Sequence, residues 1–144
     1  MIQWNVRRNF NRLIKLKLQK ILIDNKLVDA TEVKYDPHEE NDERDTLYNV
    51  VLANLESYLE GGKSYLTGYD YTIADIAYFN HLTTLMQVLE ESIDARKYPN
   101  IDKWMQRMDD IGQIRVQTLK FQEELKKLQS KYTKWLCVHN SLLF

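Results

Sequence analysis

The sequence contains few residues that interrupt secondary structure or cross-link the chain. Its 144 residues include only four glycines, two prolines and one cysteine. A single thiol, Cys137, excludes an internal disulfide, and this usage indicates an intracellular, reducing compartment rather than a secreted scaffold. So few glycines and prolines leave long uninterrupted stretches, in which apolar residues recur at helical rather than alternating spacing. No strands are predicted.

An excess of either charge is also missing. Twenty Lys and Arg stand against 21 Asp and Glu, for a net charge of −1, so no overall field would gather nucleic acid. No run approaches the ~20 apolar residues of a membrane span. Locally the charge is uneven. Residues 1–23 hold six bases and no acid, whereas residues 36–45 hold six acids and one base.

The apolar spacing predicts an all-α fold: a single domain over residues 1–144, built as one bundle of about five helices. We expect these helices near residues 3–25, 37–60, 72–91, 99–111 and 113–138. Pro37 and Pro99 are first-turn residues of the second and fourth helices. The third helix is apolar around most of its circumference, which predicts that it lies in the core.

The start of this third helix carries the most informative local pattern. Thr72 can cap the helix, and the carboxylate of Asp75 can reach back to the Thr72 amide, which together form a capping box. Tyr71 and Ile76 occupy the two positions of a hydrophobic staple. Both devices satisfy or cover backbone groups that an apolar core would otherwise leave without a partner. We therefore predict a buried helix start here.

Two segments carry a family resemblance. Residues 64–76 read SYLTGYDYTIADI, and Tyr98-Pro99-Asn100-Ile101 is followed by Trp104 and by Arg107-Met108. This chain resembles the C-terminal, all-helical domain of the glutathione transferase family, whose central helix begins with a similar tyrosine-leucine-x-glycine and threonine-x-alanine-aspartate pattern. The resemblance covers roughly residues 1–115 and is best from 64 to 108.

The resemblance implies a limited chemistry. In the family, a thioredoxin-like half supplies the thiol-activating hydroxyl and the cis-proline loop that binds glutathione, and the helical half mainly lines the acceptor pocket. We find no counterpart of that first half, and Pro37 and Pro99 have no strand context. No catalytic or glutathione-binding position can therefore be carried over, so we expect no cofactor and no glutathione binding.

Other candidate sites have simpler explanations. His38 with Glu39, Glu40 and Asp42 could ligate a metal, but acids in a first helical turn also interact favourably with the helix dipole, and we predict no metal site. His81 is expected to be a hydrogen-bonded structural imidazole. The spacing of two between Cys137 and His139 does not bring them face to face on a helix.

The remaining apolar and basic residues suggest an interface. The candidate interface residues lie near the two ends of the chain: Trp4, Arg7, Arg8, Trp135, Leu142, Leu143 and Phe144. Phe10, Tyr48, Tyr58 and Trp104 are expected to pack in the core. An exposed apolar surface needs a cover, so protein partners are expected, in a hetero-complex or a homo-oligomer.

The leading hypothesis is a non-catalytic interaction or structural subunit of a larger assembly. The alternative is a glutathione transferase, theta-like, or a truncated derivative that binds apolar ligands. The expected location is the cytoplasm. A mitochondrial location is the alternative, because the acid-free, Arg-bearing N-terminus also has the composition of a transit peptide.

Overall fold

The protein is mainly helical in the part described by the structure, a computed structural model. That part comprises the backbone of residues 2–142 and the side chains of residues 6–29, 31–128 and 130–131. The helices are α1 (Ile2–Asp24), α2 (Ala30–Val33), α3 (Pro37–Thr46), α4 (Leu52–Leu59), α5 (Ile73–Leu89), α6 (Pro99–Asp109) and α7 (Gly112–Leu142). The predicted all-α class is confirmed. Within these residues, the one β-type pairing is an isolated bridge between Tyr65 and Gly68.

Two compact units divide the chain, residues 1–108 and residues 109–144. The core of the first unit is formed mainly by leucines of α1, α4 and α5, together with Phe10, Ile101, Trp104 and Met108. Phe10 and Trp104 are buried as predicted, whereas Tyr58 is exposed. No helix in the described residues is long and apolar enough to cross a bilayer.

A π-helical turn, Leu47–Val51, joins α3 to α4. Its hallmark is a hydrogen bond from the Leu52 amide to the Leu47 carbonyl, five residues back. The apolar repeat predicted one continuous helix over residues 37–60, and that repeat does not reveal the wider turn. A π-turn accommodates one extra residue in a helix and occurs frequently at functional sites.

The basic helix α1 and the acidic helix α3 face each other. The Arg12 guanidinium pairs with Glu39, and the Asn9 amide donates to the Glu43 carboxylate at 2.7 Å. Glu40 is buried and accepts a hydrogen bond from the Tyr35 hydroxyl. The acids of α3 therefore have partners in tertiary structure beyond the helix dipole, which was the only role assigned to them from the sequence.

Helix α5 is buried on one side only. Phe79, Leu82, Leu85, Met86 and Leu89 are buried. In contrast, Ile73 at its first turn is 83% exposed, and Ala77 and His81 also face solvent. The expectation that this helix is surrounded by core was therefore too broad, because its N-terminal half leaves one face open.

A cluster around Glu91 holds α3 and the π-turn to the segment after α5. The Glu91 carboxylate accepts from the Arg44 guanidinium and from the Tyr48 hydroxyl. The Tyr98 hydroxyl in turn donates to the Tyr48 carbonyl at 2.7 Å. Burial is the largest cause that raises the pKa of Tyr48 to about 12, followed by its hydrogen bond to Glu91.

The second unit contains α7. On this helix the Lys127 ammonium binds the Glu124 carboxylate, three residues before it, at 2.8 Å. Both i,i+3 and i,i+4 neighbours are within reach of a lysine on a helix surface. The Glu124 hydrogen bond and charge raise the pKa of Lys127, and the same contact lowers the pKa of Glu124.

The Tyr48 environment predicts a loss of stability at alkaline pH. An unfolded tyrosine ionises near pH 10, whereas folded Tyr48 keeps its proton to about pH 12. Its contribution is therefore complete below about pH 10 and is lost as the pH rises through about 12. We expect the urea midpoint of the wild-type protein to fall more steeply over this range than that of Tyr48→Phe.

The matched control is Tyr69→Phe, at a side chain that is 85% exposed. This variant should follow the wild-type curve. Parallel curves for the wild-type protein and Tyr48→Phe would contradict the assignment of a held proton to Tyr48.

Candidate functional site

The start of α5 is closed by a reciprocal capping box. Thr72 has an extended backbone and its hydroxyl accepts from the Ala74 amide at 3.3 Å. The Asp75 carboxylate accepts from the Thr72 amide at 3.0 Å. These two bonds satisfy amides that the first turn of an α-helix leaves without a backbone partner.

Asp75 also binds two groups from outside its own helix. One oxygen, Oδ1, accepts from the Leu66 amide at 2.8 Å and from the Trp104 indole N–H at 2.9 Å. The Asp75 side chain has no exposed surface. One buried carboxylate therefore joins the preceding loop, the start of α5 and the middle of α6. A buried carboxylate is tolerated when hydrogen bonds replace its lost water.

The loop before α5 is held in place by α6. The Arg107 side chain donates from Nε to the Ser64 carbonyl at 2.8 Å, and its guanidinium lies 6.0 Å from the centre of the Tyr65 ring. The loop turns at Gly68, where φ is +142°, a conformation that side-chain-bearing residues rarely adopt. Its geometry therefore depends on contacts with a helix more than thirty residues away in sequence.

The start of α6 is capped from another helix. The residue before Pro99 is a tyrosine, which cannot cap. Instead, Glu56 of α4 accepts from the amides of Asn100 and Ile101 at 2.8 and 2.9 Å. A carboxylate at a helix N-terminus also gains from the helix dipole. Glu56 thereby fixes the start of α6, the helix whose Trp104 binds Asp75.

An apolar groove of about 390 Å³ opens beside this capping region. Its lining comes from α1, the π-turn, α4, the loop before α5 and the N-terminal half of α5: Val6, Val50, Val51, Asn54, Leu55, Tyr58, Leu66, Thr67, Ala74 and Tyr78. The Tyr58 hydroxyl donates to the Leu66 carbonyl at 2.7 Å and fixes one wall. The π-turn contributes Val50 and Val51 to another.

Tyr58 and Tyr78 are among the residues that line the groove, and His81 follows Tyr78 by about one turn on α5. Burial raises the pKa of Tyr78, so its hydroxyl stays neutral and is a poor base. The Tyr58 hydroxyl is already engaged, and the His81 Nδ1 lies 2.7 Å from the Ala77 carbonyl. In the described part of the chain, no group of three or more His, Cys, Asp or Glu residues is placed to hold a metal ion.

The residues singled out from the sequence lie in different environments in the structure. Thr72 and Asp75 form the capping box described above. Tyr71 packs edge-on against Tyr65, with ring centres 6.0 Å apart, and its staple with Ile76 stays a prediction. Arg7 and Arg8 are exposed. The side chains of the other candidate interface residues lie outside the described residues: Trp4, Trp135, Leu142, Leu143 and Phe144.

Sequence reasoning missed the long-range partners of the site. Leu66 and Trp104 were both within the quoted motifs, but nothing in their spacing identified Asp75 as their acceptor. Glu56 gave one available signal, since Pro99 opens a helix that has no capping residue of its own. A missing local cap predicts a partner elsewhere, without identifying it.

Comparison with known protein families assigns the chain to one of them. A family model described as "Glutathione S-transferase, C-terminal domain" matches residues 15–110, two thirds of the chain. The chain belongs to this family. No curated protein and no solved structure matched it.

The glutathione S-transferase C-terminal domain match includes both motifs on which the resemblance was based. It also includes Asp75 with its partners Leu66 and Trp104, the Glu56 cap and most of the groove lining. Val6 and the whole of α7 lie beyond the matched residues. The predicted recognition of this helical domain is therefore confirmed.

Loss of the Asp75 carboxylate should destabilise the domain strongly. In Asp75→Ala, the Leu66 amide and the Trp104 indole lose their acceptor inside the protein. Each unsatisfied buried donor costs about 1–3 kcal/mol, and such terms do not simply add. We expect a fall of about 2–4 kcal/mol in the free energy of unfolding, measured by urea denaturation.

Asp70→Ala is the control, because Asp70 is an exposed aspartate five residues away. It should change the free energy of unfolding by less than about 0.5 kcal/mol. A similar small effect for Asp75→Ala would show that the buried carboxylate does not hold the three segments together.

Proposed function

We infer that this chain acts as a non-catalytic helical domain, an interaction or structural subunit of a larger protein assembly. The observation that carries the proposal is the apolar groove together with the exposed side chains around it. Val50 and Tyr58 line the groove and are about half exposed. Tyr69, Tyr71 and Ile73 are exposed in the segment between the lining residues Thr67 and Ala74.

The composition of this surface favours a protein partner. Interface centres are enriched in aromatic residues and depleted in charge, and large exposed apolar patches on soluble proteins mark interaction sites. Ile73 and Tyr69 are 83% and 85% exposed. A small ligand in the groove would not cover them. A partner with a larger contact area would remove both from water.

The chemistry of the groove supports a non-catalytic role. Thiol activation needs a hydroxyl or base that stabilises a thiolate. Burial raises the pKa of Tyr78, which disfavours its ionised form. The Tyr58 hydroxyl already donates to a backbone carbonyl. The proposed role therefore depends on surface complementarity and needs no reactive group.

Substitution at Val50 tests this proposal. Val50 and Val116 are both helical valines that are 50% exposed, but only Val50 is among the groove-lining residues. We expect the wild-type protein to belong to a larger assembly, either a homo-oligomer or a hetero-complex. Its migration in extracts of its native source and light scattering of the protein measure the size of that assembly. Val50→Asp should weaken that association about tenfold or more, while Val116→Asp should not.

A monomeric wild-type protein, unaffected by either substitution, would contradict the interaction role.

A second candidate function is the binding of small apolar ligands, as in a glutathione transferase or a derivative of one. It is favoured by the groove volume, which lies within the ~300–1,000 Å³ typical of ligand sites. The uncharged fluorescent probe N-phenyl-1-naphthylamine distinguishes the two. Tight binding by a monomeric wild-type protein, lost in Val50→Asp, would favour the ligand site. Retention on immobilised glutathione would favour the transferase.

A further inference from the structure

Helix α7, in the second unit, carries a narrow and mainly apolar seam. Its members recur at alternating spacings of four and three residues: Ile114, Thr118, Phe121, Leu125 and Leu128. In the sequence the same alternation continues through Tyr132 and Trp135, whose side chains lie outside the described residues. An alternation sustained over about three heptads is typical of the a and d positions of a coiled coil.

The α7 seam is polar on both sides. Every flanking e and g position from residue 115 to residue 131 holds a polar or charged side chain: Arg115, Gln117, Gln122, Glu124, Gln129 and Lys131. A helix that packs on its own domain has a broader apolar stripe that takes in e or g, whereas a stripe confined to a and d fits one partner helix. Leu128 is 62% exposed and Phe121 is 44% exposed. The described part of the chain leaves the seam uncovered at both residues.

The charge around the middle of α7 is self-complementary in one antiparallel register. The helix spans Gly112–Leu142, so residue 127 is its midpoint. Two antiparallel copies that overlap over almost their whole length bring Leu125 of each against Leu128 of the other. In this register Glu124 of each copy faces Lys131 of the other, because g positions meet across an antiparallel pair. Both side chains are exposed and can reach across.

Other arrangements of the same two helices lose these ion pairs. A shift of one heptad in either direction brings Glu124 against Glu124 of the second copy, or Lys131 against Lys131, and like charges then repel. In a parallel pair each g position meets the next e position, so Glu124 would face Gln129 and Lys131 would face Leu136. Charge therefore selects one register and one orientation, and the partner that it matches is the same helix.

We propose that α7 pairs with α7 of a second copy of this chain as an antiparallel coiled coil centred between Leu125 and Leu128. The seam side chains pack between the two helices, and two pairs between Glu124 and Lys131 fix the register. The proposal goes beyond the interaction role inferred above, because it names the chain itself as a partner. Its residues, 114–131, are all different from those that line the groove.

The test measures the dissociation constant of the full chain by sedimentation equilibrium. We expect a monomer–dimer equilibrium that depends on protein concentration. Leu128→Lys should raise the dissociation constant at least about tenfold, because it places a charge from each copy in the apolar seam. Leu119→Lys is the matched control at another leucine of α7, which is 50% exposed and lies at a b position away from the seam. It should leave the dissociation constant unchanged, and circular dichroism checks that both variants remain folded.

Charge exchange tests the register and the orientation. Glu124→Lys and Lys131→Glu should each raise the dissociation constant about fivefold or more, because each places like charges opposite one another. Both substitutions in the same chain should restore the wild-type value, since opposite charges face each other again. Glu123→Lys, at the neighbouring f position on the outer side of the helix, is the control and should have little effect.

Three results would overturn the proposal: a wild-type protein that stays monomeric at about 100 μM, equal effects of Leu128→Lys and Leu119→Lys, or a double variant no tighter than its single variants. A monomer that binds a helix of a different protein through the seam would also overturn it.

Failure here is distinguishable from failure of the interaction role. If Val50→Asp reduces the size of the native assembly and Leu128→Lys leaves that of the purified protein unchanged, the interaction role stands and the pairing of α7 does not.

Discussion

The Asp75 carboxylate is the constraint on which the first unit depends. Its two oxygens accept from the Leu66 amide, the Trp104 indole and the Thr72 amide, with no contact to solvent. Each donor comes from a different segment, so the loop, the start of α5 and α6 must take up their native positions together. Buried polar networks of this kind specify a unique arrangement because a partly satisfied one is costly.

The same network prepares the surface beside it. Leu66 is both a partner of Asp75 and part of the groove wall, and its carbonyl is held by the Tyr58 hydroxyl. The groove therefore does not need a ligand to acquire its shape. A preformed surface loses less conformational entropy when a partner binds, which agrees with the interaction role proposed above.

Local chemistry explains how much the sequence could predict. Thr72 and Asp75 are three residues apart, and a capping box depends only on that separation, so the start of α5 could be predicted from the sequence. The Glu56 cap of α6 spans more than forty residues, and such pairs are fixed by tertiary packing. The family resemblance came from residues 64–108, where these local signals are densest.

Amphipathic spacing was less informative where a helix has two neighbours. The apolar repeat over residues 37–60 predicted one continuous helix and did not reveal the π-turn at Leu47–Val51. The acids of α3 were assigned to the helix dipole, although Arg12 and Asn9 of α1 bind Glu39 and Glu43. Periodicity identifies the buried side of a helix, while the choice of partner requires knowing which helices meet.

The π-turn at residues 47–51 changes the rotational relation between the acidic face of α3 and the apolar face of α4. An additional residue in a helix rotates everything before it by about 100° relative to everything after it. The acidic face of α3 can thus lie against α1, while the π-turn places Val50 and Val51 at the groove and α4 places its leucines in the core. Deleting one residue there would leave the residue patterns of α3 and α4 intact in the sequence. It would, however, rotate one helix relative to the other, so that its buried side would face the wrong neighbours.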